Sequence, residues 1–251
     1  MHRFPISPES VSGDRVVLRD AQARHASVVL RVRAGERVVV FDGSGREFDV
    51  ELESVNAREV TGRIVITRTV SGIPLHITLL QGVPKGAKMD DVIRMGTEIG
   101  VVEFVPFLSE RTVAEARQRA ERWRRVATEA AKQSGRSDVP VVYDPSPLTQ
   151  ALEKLAGYDL VLVPWEAERN RSVRDVLEHT GRASKIAIVI GPEGGLEARE
   201  VEEAAGVGGV PVTLGPLVLR TETAGIVAVS MVLYGLAMRD NQQGRPQALV
   251  E

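Results

Sequence analysis

Leu214 to Ala224 reads Leu-Gly-Pro-Leu-Val-Leu-Arg-Thr-Glu-Thr-Ala, which crowds glycine, proline, an arginine, a glutamate and two threonines between an apolar strand and a long apolar helix. A second junction, Gly191-Pro192-Glu193-Gly194-Gly195, follows the apolar run Lys185 to Ile190. Glycines let backbone amides and carbonyls approach a ligand closely. Arg220 stands where a helix presents its positive end, a poor place for a cation unless it has an anion to meet. Glu222 suits that end simply as a helix residue. Thr221 or Thr223 could simply cap the helix. Taken alone, Gly191 to Gly195 is as well read as a glycine turn that opens a helix. The pairing of the two loops favours a ligand site, with a cation and a carboxylate beside it.

Such loops need rigid elements behind them. Apolar runs at Leu75 to Gln81, Val101 to Pro106, Asp159 to Val163, Lys185 to Ile190 and Val210 to Leu214 read as strands. Between them, Met89, Val92, Ile93, Gly96 and Ile99 share one helical face, as do Val113, Ala116, Ala120, Trp123, Ala127 and Ala130. Alternation of this kind predicts a parallel sheet covered by helices on both sides, an α/β fold. Loops leaving the same ends of neighbouring strands would then face one crevice. Residues 1–72 differ. Short strands at Arg15 to Leu18, Arg37 to Phe41, Glu47 to Glu53 and Glu59 to Val65, with glycine turns at Gly35, Gly43 and Gly45, predict a small β-barrel.

Composition narrows the chemistry. The 251 residues contain no cysteine and four scattered histidines, His2, His25, His76 and His179, so disulfides, thiolate metal sites and a zinc centre are not expected. Gly82-Val83-Pro84-Lys85-Gly86-Ala87-Lys88 resembles a phosphate loop superficially, but its spacing and the Asp90 that follows do not fit one. No dinucleotide fingerprint or serine nucleophile elbow is present. The longest nearly apolar run, Ala224 to Met238, is short for a bilayer and reads as a buried helix. The first residues lack a signal pattern, which makes the cytoplasm the expected compartment.

The net charge of −2 is unevenly spread. Arg111 to Arg136 holds eight basic and three acidic residues, whereas Ile186 to the end holds four basic and eight acidic. The basic stretch is either a surface for a polyanion or a solvated helix face, and its spacing alone does not choose between them. His25 reads as a packed or surface histidine rather than a catalyst, because no partner acid is identifiable.

Several of these segments together resemble a known family: His25 to Leu30, Phe41-Asp42-Gly43, Glu98-Ile99-Gly100, Ser109-Glu110-Arg111, Gln133-Ser134-Gly135-Arg136, Ile190 to Gly195 and Leu219 to Ala224. In order and across nearly the whole chain they are similar to the RsmE family, 16S ribosomal RNA uridine-N3 methyltransferases of the SPOUT class whose site is U1498. The resemblance implies a PUA-like RNA-binding β-barrel over 1–72 and a SPOUT domain over 73–251 with a C-terminal trefoil knot. It implies S-adenosyl-L-methionine as methyl donor, no metal, no membrane and a homodimer. It implies 16S rRNA in the small ribosomal subunit, or a late precursor, as partner. The cofactor residues it suggests are Val163, Pro164 and Trp165, then Gly191, Pro192, Glu193, Gly194 and Gly195, then Leu214, Gly215, Pro216, Leu219, Arg220 and Thr223. His25, Arg31, Arg111, Arg122, Arg125 and Arg136 are its candidate RNA contacts, and Arg220 and Glu222 its catalytic pair. The N3 position of uracil is a weakly acidic imide. Arg220 could stabilise the charge left when its proton departs, and Glu222 or a water it orients could take that proton. The rivals are a SPOUT ribose 2′-O-methyltransferase and a non-catalytic RNA-binding assembly protein.

Overall fold

A computed structural model describes residues 1–70, 75–108 and 113–242, apart from the side chains of 113–117 and 237–242. The chain divides into two compact units, Met1–Ile73 with Thr128–Val139, and Pro74–Ala127 with Pro140–Glu251.

The first unit is built on strands β1 (Arg3–Pro5), β2 (Val11–Ser12), β3 (Arg15–Arg19), β4 (Arg37–Phe41), β5 (Arg46–Val55) and β6 (Glu59–Thr69). They form one sheet in the order β1-β4-β5-β6-β3-β2, antiparallel except for β1 beside β4. Phe4 from one edge and Val16 and Leu18 from near the other join a single core with Val38, Val40, Phe48, Val50 and Val60. A flat sheet could not bring those strands to one core, so this sheet curls. Register shifts in the β5–β6 pair at Asp49/Val50 and Leu52/Ser54 help it bend. Helix α1 (Asp20–Arg24) runs on into a wider π-type turn, His25–Val29, and Ala23 and Ala26 press into the same core.

The segment Thr128–Val139 is stitched to this sheet by polar bonds. The Gly45 amide donates to Ser137 O at 3.1 Å and the Val139 amide to Gly43 O at 3.2 Å. The Arg3 guanidinium pairs with Glu47, which also accepts from the Ser137 hydroxyl.

The second unit carries β7 (His76–Gly82), β8 (Glu103–Leu108), β9 (Val141–Val142), β10 (Ser146–Pro147), β11 (Leu160–Pro164), β12 (Lys185–Ile190) and β13 (Gly209–Val212). All pairings are parallel, in the order β10-β8-β7-β12-β11-β13, with β9 also on β8. Successive residues of each strand face opposite sides. Leu80, Val105, Val161, Val163, Ala187 and Val189 meet helices α4 (Leu148–Glu153) and α6 (Ala198–Gly206). On the other side lie α2 (Lys88–Ile99) and α7 (Thr221–Gln242), with Gly96 against Phe104 and Gly225 against Leu79. Helices α3 (Val113–Ser134) and α5 (Val173–His179) complete the elements.

Among the boundaries that depart from the sequence reading, three have clear local reasons. Strand β8 begins at Glu103, because the Val101 amide turns back to Gly96 O at 2.9 Å and closes the end of α2. Strand β13 stops at Val212, because the Thr213 amide leaves the ladder for Arg171 O at 2.8 Å. Helix α6 starts at Ala198 rather than Leu196, capped reciprocally by Glu197 and Glu200.

Candidate active site

The strand order reverses at β7, with β8 on one side and β12 on the other. Open α/β sheets bind ligands outside the carboxyl ends of the strands at such a switch point. Here the first residue of α7 is fixed. Thr221 is buried, donates from Oγ1 to Gly191 O at 2.5 Å, and accepts from Gln81 Nε2 at 2.8 Å. Its hydroxyl therefore pins α7 between the ends of β7 and β12 instead of capping the helix. The loop after β12 lies directly on the end of β7, where a Cβ on Gly82 would stand 2.5 Å from Pro192 N. The Arg220 carbonyl accepts from the amides of Thr223 and Ala224 at 2.9 and 2.8 Å. The Arg220 side chain is exposed and has no ion pair among the described residues, and Thr223 is exposed as well.

A shallow cleft, open to solvent, adjoins this helix start. Pro164, Trp165, Leu214, Gly215, Pro216 and Leu219 line it, as the sequence reading grouped them, together with Glu166, Glu168, Arg169, Thr213, Leu217, Val218 and Ala224. Trp165 is held as a wall by its indole N–H, which donates to Leu196 O at 3.0 Å, and by its amide, which donates to Val212 O at 3.0 Å. Val163 is buried in the sheet behind it. Gly191 to Gly195 do not line this pocket, although Gly195 abuts one of its walls. With φ +75°, its missing Cβ would fall 2.3 Å from Glu166 Oε1, so no larger residue fits there without moving that side chain. Gly194 faces open space. The Glu168 carboxyl is held below the usual carboxylate range by the amides of Asn170 and Arg171.

Beside the same helix start lies a charged cluster that the sequence did not announce. Lys88 Nζ, at the head of α2, is 3.5 Å from Glu222 Oε1 and 3.6 Å from Glu193 Oε1. Burial raises the Glu193 carboxyl, but hydrogen bonds from its own amide and that of Lys85, with the Lys88 charge, outweigh this and bring it below its ordinary value. Glu222 is mostly buried, and its Oε2 has no hydrogen-bond partner among the described residues. The spacing of Lys88 from Glu193 and Glu222 in sequence gives no signal of this contact.

The candidate RNA contacts fall in different settings. In the first unit Arg31 is exposed, with a left-handed φ of 55°, while His25 is half-buried with Nε2 3.5 Å from Lys132 Nζ. Arg136 is 14% exposed and its guanidinium grips Asp138 at 2.5 Å, so it is committed within the protein. In the second unit Arg122 pairs with Asp90 at 2.5 Å yet keeps 65% of its side chain exposed, and Arg125 is exposed. Arg111 lies outside the described residues.

Known proteins share this arrangement. Residues 71–233 match the model of an RNA methyltransferase domain, and residues 18–65 that of an RNA methyltransferase PUA domain. The ribosomal RNA small subunit methyltransferase E of Bacillus subtilis is 33% identical over 235 residues, 90% of this chain and 89% of its own. That of Synechocystis is 34% identical, covering 92% of this chain and 77% of its own. The crystal structure of the Neisseria gonorrhoeae enzyme of the same name, bound to S-adenosyl methionine, superposes with a TM-score of 0.83 at 34% identity over 93% of this chain and 97% of its own. The parallel sheet is accordingly of the SPOUT methyltransferase type, and the curled sheet of the first unit is a PUA domain. The chain belongs to the ribosomal RNA small subunit methyltransferase E family.

Proposed function

We propose that this chain methylates N3 of one uridine in 16S rRNA, in the small ribosomal subunit or a late precursor, with S-adenosylmethionine as donor. The observation that carries the reading is Arg220, without an ion pair among the described residues, two positions before the mostly buried Glu222, at a helix start that adjoins a concave cleft. The pocket suits the donor. Backbone of the loop from Thr213 to Leu219 offers amides and carbonyls for an adenosine, Trp165 and Pro164 give apolar walls, and Glu166 and Glu168 bring negative charge to meet a cationic sulfonium. Gly191 to Gly195 would support that loop from behind Glu166. S-adenosylmethionine supplies a methyl group that is already activated, so the protein's own work is to orient the uracil, exclude water and manage one proton. Arg220 would stabilise the imide anion, and Glu222 would receive or direct the proton. Arg31, Arg122 and Arg125 are exposed cations suited to phosphate contacts that fix position without reading sequence.

Two further parts of the reading concern the chain's path and assembly. Leaving β13 at the sheet edge, the chain passes Ser172, which bridges to Thr213, and returns to begin α7 between β7 and β12. We take this return as a trefoil knot. Helix α7 leaves Tyr234 69% and Met231 38% exposed, apolar surface that a second copy in a homodimer would cover.

Mass spectrometry of ribosomal RNA nucleosides from a strain lacking the gene tests the activity. Loss of 3-methyluridine, restored by the intact gene, supports it. Loss of a ribose-methylated nucleoside instead would make the protein a 2′-O-methyltransferase, and an unchanged profile would leave it a binding protein.

A further inference from the structure

The loop Gly82 to Lys88, rejected as a phosphate loop, delivers Lys88 to the start of α7. Lys88 stands between two carboxylates, Glu222 and Glu193. Glu222 is 16% exposed, and its buried Oε2 lacks a donor among the described residues. A buried acceptor without a donor is costly, and a ligand that supplies the donor removes the cost. Rotation about the last bond of the side chain exchanges the lysine-facing and the unpartnered oxygens. Arg220, two positions before Glu222, is exposed and has no ion pair among the described residues. Lysine and arginine only donate, and a carboxylate only accepts. Around the start of α7, Lys88 and Arg220 thus offer donors and Glu222 an acceptor. The Watson–Crick edge of uracil complements these groups, with O4 accepting, N3–H donating and O2 accepting. Cytosine offers a donor at N4 and a bare acceptor at N3, and so mismatches two of the three.

We propose that Lys88 completes the target-base site, reading the uracil edge jointly with Glu222 and Arg220 and holding the charge that develops on one carbonyl oxygen. This rests on the uridine-N3 reading above. In the proton step the N3–H bond breaks, the proton passes to the Glu222 carboxylate, and the electron pair stays on N3 with its charge spread over O2 and O4. When Glu222 becomes neutral, Glu193 still anchors the lysine, and its carboxyl is the one held in the ionised form.

The test uses small subunits from a strain lacking the gene, carrying uridine or cytidine at the target position. Without any methyl donor, the wild-type protein should bind the uridine form about tenfold more tightly, and Lys88→Met and Glu222→Gln should lose that preference while keeping S-adenosylmethionine affinity. Lys88→Met should slow single-turnover methylation about 100-fold, with Lys88→Arg recovering much of the rate. On subunits reconstituted with RNA containing 5-fluorouridine, whose N3–H is more acidic, Lys88→Met should gain far more than the wild type. A merely structural tie between α2 and α7 would show no such rescue. If the wild type makes 3-methyluridine but Lys88→Met keeps both rate and base preference, or shows no rescue, this inference is wrong. If the wild type makes no 3-methyluridine, it is the underlying functional reading that fails.

Discussion

The proposed chemistry rests on three side chains around the start of α7: Arg220, Glu222 and Lys88. Arg220 and Glu222 stand out because glycine, proline and charge are concentrated where an ordinary strand-to-helix junction needs none of them. Lys88 and Gln81 do not stand out. Their partners Glu222 and Thr221 lie well over a hundred positions further along the chain, and only the folded sheet brings them together. Arg220→Ala should lower the single-turnover methylation rate by about 10²–10³-fold, the usual effect of removing one donor that stabilises a developing anion. Affinity for S-adenosylmethionine and for the small subunit should change far less, as calorimetry and filter binding would show. Gly194 has open space around its missing Cβ, so Gly194→Val should fold normally, with an unchanged melting temperature. If the 191–195 loop touches the donor, calorimetry on that variant should show at least a tenfold loss of affinity for S-adenosylmethionine. Unchanged affinity would confine the cofactor to the loop from Thr213 to Leu219.

Secondary-structure elements hold those residues in place, and here the period of the sequence was a good guide only where elements are long. Strand β12 has the boundaries that its apolar run implies; α2 buries Met89, Val92, Ile93 and Gly96 of its stripe, and α3 buries Ala120, Trp123, Ala127 and Ala130, while the side chains of Val113 and Ala116 lie outside the described residues. Strands of two or three residues, such as β1, β9 and β10, are too short to show any alternation, and they form because neighbouring strands offer free backbone groups. For the start of α7 a threonine cap is the plainer of two readings. Instead Thr221 spends its hydroxyl on Gly191 and Gln81, and so couples the helix to two strand ends. Thr221→Val keeps the shape and removes both bonds, so that Gln81 Nε2 retains only its bond to Gly82 O and the Gly191 carbonyl loses the hydroxyl donor. The variant should lose about 1–3 kcal/mol of stability in urea melts. It should also lose methyl-transfer rate, because Arg220 and Glu222 are displaced with the helix. A variant as stable and active as the wild type would show that packing alone seats α7.

At the scale of the whole molecule, a half-buried carboxyl bears on acid stability and an exposed apolar patch on the proposed assembly. At the opposite ends of the strands from the pocket, Glu103 accepts from Thr78 at 2.9 Å and Tyr158 at 3.0 Å, beside His76. Burial raises its carboxyl, but these hydrogen bonds outweigh it and leave the group below its ordinary value, while the Tyr158 hydroxyl is pushed up to about 12. A carboxyl lowered by folding stabilises the native state above its unfolded value, and that contribution disappears as pH falls through the folded one. Urea midpoints measured at pH 7 and pH 3 should therefore converge for Glu103→Gln more than for the wild type. The exposed Tyr234 and Met231 lead to a second expectation, that light scattering gives twice the chain mass of 27.3 kDa. Tyr234→Glu should shift the protein toward the monomer. A knot and a dimer, as proposed for this chain, would depend on how the chain returns and what it meets rather than on local preference, so short-range periodicity does not decide either. The most direct test of the central claim is incubation of the purified protein with methyl-labelled S-adenosylmethionine and small subunits from a strain lacking the gene, followed by nucleoside analysis of the 16S rRNA. The account predicts label in 3-methyluridine at one position, and little with Arg220→Ala. Label in a ribose, in another base, or no incorporation at all would contradict it.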